Sequence, residues 1–227
     1  MTDFHIHLLP CMDDGAQSVE ESFAMLEMLD KQGIVHAACT PHYYGERESE
    51  RAFLTRRAES YAKIAAHAAH LGIELALGAE IAMWHGMSVE VTDQLCLGDS
   101  NILLCELPVS YAPWVIDELE ELGAQGYCPM IAHLDRVQAL YTEEQLMAVM
   151  QCHGVVYQFN AASLTKPRVK RLLRMLPATV VLGSDGHGAQ YRAPDLGGAR
   201  KALKGFFMRG VRARMEKYDA RLTEAIF

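Results

Sequence analysis

Long apolar runs, paired cysteines and a surplus of basic residues are all missing from this chain of 227 residues. No stretch approaches the roughly 20 apolar residues that a membrane helix needs, and the first residues lack the basic and apolar regions of a signal peptide. We therefore expect a cytoplasmic protein without membrane insertion. The six cysteines stand singly, without a C-x-x-C pair, which predicts reduced thiols in the core.

The charge balance is acidic, with 21 Lys and Arg against 29 Asp and Glu and a formal net charge of -8 at pH 7. An acidic surplus disfavours nonspecific binding to DNA, RNA or anionic lipid, so we expect no nucleic-acid partner. Half of the residues are hydrophobic and 22% are charged, which excludes a disordered chain and a fibre. Because no Ser/Pro/Gly-rich linker interrupts the chain, the sequence predicts one domain over residues 1–227.

Apolar runs of strand length alternate with segments of helical period along the whole chain. This alternation is typical of repeated β-α units around a parallel sheet. Most runs are apolar throughout, which predicts a sheet covered on both faces. Seven units without a linker predict an α/β fold, a closed or nearly closed (β/α)7 barrel. The predicted strands span residues 2–8, 34–39, 73–77, 101–104, 128–132, 155–159 and 179–182.

Helix signals lie between the predicted strands. Ser18 and Glu21 form a capping-box pattern before an apolar row, and Gly33 follows at the place of a helix stop. Thr142 and Gln145 form a second capping-box pattern. A longer helix is predicted over about residues 48–71, and further helices over residues 112–123, 142–152, 166–176 and 196–208.

Ionisable residues recur where the predicted strands end. The carboxyl ends of parallel barrel strands meet at one mouth, where functional residues collect. His5 and His7 lie two apart on a strand and can reach one ion, and Asp185 and His187 repeat this spacing. An H-x-H pattern taken alone fits a structural histidine equally well. The complete set comprises five histidines and four carboxylates: His5, His7, Asp14, His42, Glu80, Glu106, His133, Asp185 and His187.

Metal ions are the simplest partners for this set, because burying the groups unpaired would cost several kcal/mol each. Nitrogen and oxygen ligands without cysteine suit manganese, iron or zinc. Nine ligands are too many for one ion, so two or three metals roughly 3.5–4 Å apart are expected. Such a cluster generates hydroxide near neutral pH and neutralises phosphoryl oxygens, which indicates phosphoester hydrolysis.

Two arginines follow the candidate ligands closely. Arg136 comes three residues after His133, and Arg192 comes five residues after His187. A guanidinium binds phosphate oxygens bidentately, although a surface ion pair is the alternative for each residue. Aromatic residues after the strand ends either wall a pocket for an aryl group or simply pack; they are Tyr43, Tyr44, Trp84, Tyr111 and Trp114.

The ordered motifs resemble those of the polymerase-and-histidinol-phosphatase (PHP) superfamily. They read H-I-H-L-L-P-C-M-D-D-G-A, C-T-P-H-Y-Y, G-A-E-I, L-C-E-L-P, I-A-H-L-D-R and S-D-G-H, and they run from about residue 2 to residue 192. Within the superfamily, the chain is most similar to the manganese-dependent protein-tyrosine phosphatases of bacterial capsule and exopolysaccharide operons. The resemblance implies a distorted (β/α)7 barrel with three divalent metals, with manganese expected and iron, zinc or cobalt as alternatives.

The resemblance also implies a role for each candidate residue, with Glu80 bridging two metals. Arg136 and Arg192 match the arginines that bind the substrate phosphate in the family. Leu134 stands where relatives often have proline, and S-D-G-H replaces the commoner S-D-A-H. The three implied ligand sets are His5, His7, Glu80 and Asp185; Glu80, Glu106 and His133; and Asp14, His42 and His187.

The first functional hypothesis is a phosphatase that hydrolyses phosphotyrosine in a protein by metal-bound hydroxide. From the resemblance alone, the substrate is a bacterial tyrosine kinase that controls polysaccharide export. The rival enzyme is a small-molecule phosphoesterase such as a histidinol-phosphate phosphatase, which shares the metal site. An inactive metal-binding regulatory subunit is the third hypothesis, and the full ligand set with both arginines argues against it. Oligomerisation stays open.

Overall fold

Nine β-strands and nine α-helices lie along the residues that the computed structural model describes, which are 1–176, 179–204 and 208–227. The strands are β1 (Thr2–Ile6), β2 (His36–Cys39), β3 (His42–Tyr43), β4 (Glu74–Leu77), β5 (Glu80–Ala82), β6 (Ile102–Glu106), β7 (Cys128–Ile131), β8 (Val156–Asn160) and β9 (Val180–Gly183). The helices are α1 (Val19–Lys31), α2 (Glu50–Ala62), α3 (Ala65–His70), α4 (Trp114–Ala124), α5 (Leu134–Leu140), α6 (Glu143–Gln151), α7 (Pro167–Met175), α8 (Gly197–Ala202) and α9 (Arg209–Ile226).

All strand pairings are parallel, and the nine strands form one barrel with seven strand positions, which we call staves. β2 with β3, and β4 with β5, each occupy one interrupted stave. One sheet has the order β1-β2-β4, and the other has the order β3-β5-β6-β7-β8-β9. β2 continues into β3, and β4 continues into β5, each after two residues. β1 closes the ring against the segment that follows β9, where Ile6 forms a parallel bridge with Gly186 and the Asp185 N–H donates to the His5 carbonyl at 2.8 Å. The predicted (β/α)7 barrel is therefore confirmed.

Two staves are interrupted immediately before residues that face the mouth. Pro41 lacks an N–H group and cannot donate to the sheet, and it separates β2 from His42. On the neighbouring stave, Gly78 and Ala79 separate β4 from Glu80. The Glu80 N–H still donates to the Pro41 carbonyl at 3.0 Å, which keeps the two interrupted staves in register. The interruptions explain why the sequence analysis did not assign β3 and β5 as strands.

A hydrophobic cluster fills the barrel interior with one or more side chains from every stave. Leu222 and Ile226 of α9 join this cluster, and they close the end opposite to the mouth. The site described below therefore opens at the carboxyl ends of the strands only. The stave residues of the cluster are Phe4, Ala38, Ala76, Ile102, Leu104, Met130, Ala132, Val156 and Val181.

The helix predictions hold with three corrections. The predicted helix over residues 48–71 is broken into α2 and α3, because Ile64 turns into the core and is fully buried. Ser18 accepts the Glu21 N–H, but the Glu21 carboxylate binds the Gln17 N–H instead of completing a capping box. α8 covers part of the predicted helix over residues 196–208, and residues 205–207 lie outside the described residues. The reciprocal capping box of α6 is confirmed.

No helix within the described ranges has the length and apolar character needed to cross a membrane.

Candidate metal centre

Side chains from all seven staves meet at the mouth, and the structure brings the nine predicted ligands together there. Six of them have side chains that are at least 95% buried, whereas the Asp14 side chain is 70% exposed. Ligand atoms within 4.8 Å of one another form three groups, and Glu80 belongs to two of them, as a bridging residue would. The groups are His7, Asp14, His42 and His187; His5, His7 and Glu80; and His42, Glu80 and Glu106.

The two remaining predicted ligands lie beside these groups. His133 Nε2 is 2.8 Å from Glu80 Oε1 and 3.5 Å from Glu106 Oε1. Asp185 Oδ1 is 3.8 Å from Nε2 of His5 and 3.8 Å from Nε2 of His7. These distances agree with the implied sets of His5, His7, Glu80 and Asp185 and of Glu80, Glu106 and His133. Like Glu80, His7 and His42 each belong to two of the three groups of ligand atoms.

The tautomer of His5 follows from Gln158, a buried residue of β8. The backbone N–H of His133 donates to one side-chain atom of Gln158 at 2.6 Å, which identifies that atom as the amide oxygen. The same oxygen lies 3.1 Å from His5 Nδ1, so Nδ1 must donate its proton to it. In the neutral ring, Nε2 therefore carries a free lone pair that points into the cluster.

Asp13 orients His7 in the same way. One carboxylate oxygen of Asp13 accepts the His42 N–H at 2.8 Å and lies 2.7 Å from His7 Nδ1, and the other oxygen accepts the Gly15 N–H. Although burial favours the neutral acid, the hydrogen bond with His7 lowers the pKa of Asp13 to about 2. Asp13 is thus an acceptor, and His7 Nδ1 donates to it. The Nε2 lone pair of His7 also faces the cluster.

Three lone pairs consequently converge on one point. His5 Nε2 and His7 Nε2 are 3.1 Å apart, and each is 3.1 Å from Glu80 Oε2. When both rings are neutral, the buried oxygens Glu80 Oε2 and Asp185 Oδ1 have no hydrogen-bond partner. Unshared electron pairs at this separation repel one another unless a cation or a proton lies between them. The donor set, with second-shell partners fixing both rings, therefore fits divalent metal ions.

In the absence of metal, protons supply the positive charge that the cluster requires. Burial opposes the charged form of His7, but hydrogen bonds to Asp13 and Glu80 outweigh it and raise the pKa of His7 to about 10. For His133, burial is likewise outweighed by Glu106 and Glu80, and the pKa rises to about 9. By contrast, burial together with the nearby His7 and Arg192 lowers the pKa of His187 to about 4. His187 is therefore already neutral at pH 7.

Metal binding at pH 7 should release protons from His7 and His133. Both pKa values lie above 8, so both rings are protonated between pH 6 and 8 in the metal-free protein. As the pH rises, protons compete less strongly with metal ions for the two rings. Each of the two rings belongs to a different implied ligand set, so each of the two ions displaces one proton and its apparent affinity rises about tenfold per pH unit over that range. Calorimetric titration with Mn²⁺ in two buffers of different ionisation enthalpy measures the released protons. Affinity that does not change with pH would contradict this assignment.

Removing the charge of Asp13 should weaken metal binding without unfolding the barrel. The Asp13→Asn variant keeps the shape but no longer offers His7 Nδ1 a carboxylate, so the ring loses its fixed tautomer. Losses of outer-shell partners of this kind cost about 10- to 100-fold in metal affinity or activity. Equilibrium dialysis with Mn²⁺ gives the affinity, and Asp30→Asn, at an exposed position at the end of α1, is the matched control. Unchanged affinity in Asp13→Asn would show that His7 is held by other contacts.

Both predicted arginines lie at the mouth, and both contact Asp185. Arg136 of α5 and Arg192 each place Nη2 against Asp185 Oδ2. Asn160, at the end of β8, donates to the same oxygen at 2.6 Å. The other oxygen of Asp185 faces His5 and His7, so this carboxylate connects the two guanidinium groups to the imidazole cluster. The side chain of Arg136 is 40% exposed and that of Arg192 is 28% exposed, so solvent reaches both.

Backbone strain is concentrated at this site. Among the described non-glycine residues, positive φ angles occur at His133 (33°), Asp185 (52°), Arg192 (51°) and Cys11 (58°). The first three are predicted site residues, and Cys11 lies in the loop that carries Asp13 and Asp14. Such conformations cost about 1–3 kcal/mol each and persist where the surrounding structure fixes them, most often at functional sites.

One glycine lets the cluster close up. A Cβ atom on Gly183 would lie 2.5 Å from His5 Cβ and 2.8 Å from Gln158 Nε2. Any larger residue at this position would push against both His5 and the Gln158 amide that orients its ring.

Three residues that orient the candidate ligands were not predicted from the sequence, namely Asp13, Gln158 and Asn160. Gln158 is a polar residue inside the apolar run 155–159, and this was the signal that could have revealed it. Asn160 follows the one predicted strand for which no mouth residue was assigned. Asp13 stands beside the chosen Asp14 in the motif D-D-G, and spacing alone does not distinguish a ligand from a residue that supports one.

The cysteines are free thiols, but they do not all lie in the core. Cys39, Cys96, Cys105 and Cys152 are buried, Cys128 is half-buried and Cys11 is exposed, so the prediction is corrected for the last two. Cys11 is exposed because it lies in the mouth loop between β1 and α1 rather than in a strand.

Thiol alkylation should leave most activity intact. Cysteine-dependent phosphatases need a thiolate with an arginine six positions later, and no cysteine of this chain has one. Burial raises the pKa of Cys39 to about 12, so this thiol stays protonated at neutral pH. Turnover of a phosphotyrosine peptide before and after iodoacetamide treatment measures the effect. Stoichiometric loss on labelling one cysteine outside the mouth would contradict a thiol-independent mechanism.

The fold and the site together define a class of protein, a parallel (β/α)7 barrel with a candidate metal site of imidazoles and carboxylates at its mouth. The sequence model of a family described as capsular polysaccharide synthesis, CpsB/CapC, matches residues 1–217, and the chain belongs to this family.

Known proteins are similar over most of the chain. Identity to the tyrosine-protein phosphatase YwqE of Bacillus subtilis is 28% over 202 residues, covering 85% of this chain and 79% of YwqE. Identity to the tyrosine-protein phosphatase CpsB of Streptococcus pneumoniae is 28% over 210 residues, covering 86% of each chain. A crystal structure from work on YwqE and CpsB, described as metal-dependent tyrosine phosphatases, matches with a TM-score of 0.81 at 22% identity. It covers 100% of this chain and 96% of the other, and it shows the same fold.

Proposed function

We propose that this chain is a metal-dependent protein-tyrosine phosphatase. The observation that carries the proposal is the convergence of the lone pairs of His5, His7 and Glu80 beside two guanidinium groups at an open barrel mouth. The membership in the CpsB/CapC family and the similarity to tyrosine-protein phosphatases support the choice of substrate class.

The proposed cofactor is three divalent ions, with manganese expected and iron, zinc or cobalt as alternatives. His5, His7, Glu80 and Asp185 would hold one ion, and Glu80 would be shared with a second. When bound, such ions lower the pKa of a coordinated water to near neutrality and neutralise phosphoryl oxygens. The complete proposed ligand sets are His5, His7, Glu80 and Asp185; Glu80, Glu106 and His133; and Asp14, His42 and His187.

The arginines position the phosphate in this proposal. Arg136 and Arg192 are each held by one Nη2 on Asp185, which leaves their other N–H groups free to donate to phosphoryl oxygens. Gln158 and Asp13 hold the His5 and His7 rings, so that the ligand atoms need not reorganise during the reaction. No dedicated general acid is required for phosphotyrosine, because a phenolate leaves readily. Phosphoserine, whose alkoxide is a poor leaving group, should be the poorer substrate.

The proposed natural substrate is a phosphotyrosine-containing protein, and within that class a bacterial tyrosine kinase of a polysaccharide-export system. Support for the kinase comes from the family, which is named for capsular polysaccharide synthesis. The proposed location is the cytoplasm, since all six cysteines are free thiols, as is usual in a reducing compartment.

The test compares three substrates under the same metal conditions: a phosphotyrosine peptide, a phosphoserine peptide of the same sequence, and histidinol phosphate. The proposal predicts the highest kcat/KM for the phosphotyrosine peptide. A higher value for histidinol phosphate would overturn it in favour of a small-molecule phosphoesterase. A chain that binds Mn²⁺ and hydrolyses none of the three would be a metal-binding subunit without this activity.

A further inference from the structure

An apolar groove with cationic walls lies on the outside of the barrel between α5, α6 and α7. Its volume is about 360 Å³, enough for two or three side chains. Leu140, Met147 and Met175, three of the seven large hydrophobic residues that are exposed in the described chain, lie in or beside it. Methionine suits surfaces that adapt to a bound peptide. The lining residues used below are Gln138, Met147, Met150, Arg168, Arg171 and Met175, and together they form the α5–α7 groove.

The charge of the groove is opposite to that of the protein. Residues 166–176 contain five basic residues and no acidic residue, in a chain whose net charge is -8. Arg168 and Arg171 are exposed and line the groove, and neither pairs with a carboxylate of the described residues within 4 Å. Glu143 contributes the one acidic side chain among the described lining residues, so the two arginines leave a positive excess.

Gln138 offers an unused acceptor at the same place. Its side-chain oxygen is buried and has no hydrogen-bond partner, and its amide nitrogen lies 3.5 Å from the Arg168 carbonyl. An unpaired buried acceptor costs about 1–3 kcal/mol, and a rotation of the half-buried Gln138 side chain towards the groove would let a peptide N–H recover this energy.

The groove begins close to the proposed catalytic mouth. α5 starts immediately after His133 and carries Arg136 in its first turn and Gln138 in its second. The helix has seven residues and is therefore about 10 Å long. An extended peptide covers about 3.3 Å per residue, so a segment roughly three to six residues from a phosphotyrosine held at Arg136 would reach the groove.

We propose that the α5–α7 groove binds an acidic segment of the phosphotyrosine-bearing substrate protein, next to the phosphorylated residue. Arg168 and Arg171 pair with its carboxylates, the methionines contact one of its apolar side chains, and Gln138 accepts a backbone N–H. The inference rests on the proposed function for the nature of the substrate, but the binding of an acidic peptide does not depend on turnover. Because the groove contacts no reacting atom, it lowers KM and leaves kcat unchanged.

The variant that tests the groove is Arg168→Glu/Arg171→Glu. The matched control is Arg214→Glu/Lys217→Glu, which reverses two exposed cations of α9, the helix that closes the opposite end of the barrel. Neither variant changes a residue of the metal centre. Thermal midpoints of both variants, compared with the wild type, establish that they fold.

The first measurement is direct binding, by fluorescence anisotropy, of a labelled 12-residue peptide without phosphate. Its acidic segment lies four residues from a tyrosine, and a second peptide has Asn and Gln in place of Asp and Glu. The wild type and the control variant should bind the acidic peptide at least tenfold more tightly than the neutral one, and the groove variant should lose this preference. Equal binding by all three proteins overturns the proposal even if the chain proves to have another activity.

The second measurement is the hydrolysis of the same two peptides carrying phosphotyrosine. We expect KM for the acidic peptide to rise about tenfold in the groove variant, with kcat unchanged and with little change for the neutral peptide. An unchanged peptide KM in the groove variant would show that the proposal is wrong. If that variant then forms fewer dimers than the wild type, the occupant of the groove is a second copy of the chain. If it instead loses binding to anionic phosphatidylserine vesicles, the occupant is a membrane. Failure of every protein to hydrolyse either peptide contradicts the phosphatase proposal alone.

Discussion

Replacing Glu80 by glutamine should abolish turnover and remove most of the bound metal while leaving the barrel folded. Glu80 is fully buried, and its Oε2 atom lies 3.1 Å from nitrogens of three imidazoles, those of His5, His7 and His42. Glutamine preserves the shape, but it removes the negative charge and places an N–H₂ group among ring nitrogens. Since loss of an outer-shell partner already costs about 10- to 100-fold, loss of the ligand that we propose two ions share should cost on the order of 10³-fold or more in kcat/KM.

Metal content, measured by inductively coupled plasma mass spectrometry, and phosphotyrosine turnover should fall together in Glu80→Gln. Glu118→Gln is the matched control, because Glu118 is also a buried carboxylate, but it accepts backbone N–H groups of Gly86 and Ser88 outside the cluster. The control should keep its metal. An unchanged metal content in Glu80→Gln would exclude the bridging role.

Removal of either arginine should lower kcat/KM by about 10- to 150-fold and leave metal loading near normal. A charge-assisted hydrogen bond contributes roughly 1.5–3 kcal/mol, and each guanidinium offers donors beyond the one that contacts Asp185. The variants are Arg136→Ala and Arg192→Ala, and the readout is kcat/KM on a phosphotyrosine peptide.

Arg212→Ala is the control for this experiment. The Arg212 side chain is 41% exposed, close to the 40% of Arg136, and pairs with Glu216 on α9, away from the mouth. It should keep wild-type kinetics. Full kcat/KM in both mouth variants would show that the two arginines only neutralise Asp185 and that the phosphate binds elsewhere.

The sequence predicted the barrel because each unit carries its own local signals. The apolar runs of the staves and the cap of α6 depend on neighbouring residues only, and both are found in the structure. The break between α2 and α3 was missed because helical sequence continues on both sides of Ile64, and only the core into which Ile64 turns decides where the helix ends. The closure of β1 on β9 was likewise beyond local signals, since it joins residues 180 positions apart.

The candidate ligands could be predicted from their positions at strand ends, but their supporting residues could not. Gln158 fixes the tautomer of His5 because the His133 N–H, on another stave, holds the Gln158 amide oxygen beside His5 Nδ1. Asp185 gathers two arginines through a backbone conformation with φ of 52°, which spacing does not reveal. Such contacts depend on the three-dimensional arrangement of several staves.

We propose that divalent metal bound by this cluster is what makes the chain a phosphotyrosine phosphatase. The most direct test titrates Mn²⁺ into chelator-treated protein while bound metal and phosphotyrosine hydrolysis are measured in the same samples. We expect negligible turnover without metal, and a rise in turnover that follows metal occupancy beyond one ion, up to three ions, per chain. Full turnover in the chelated protein, or saturation of turnover before any second ion binds, would contradict it.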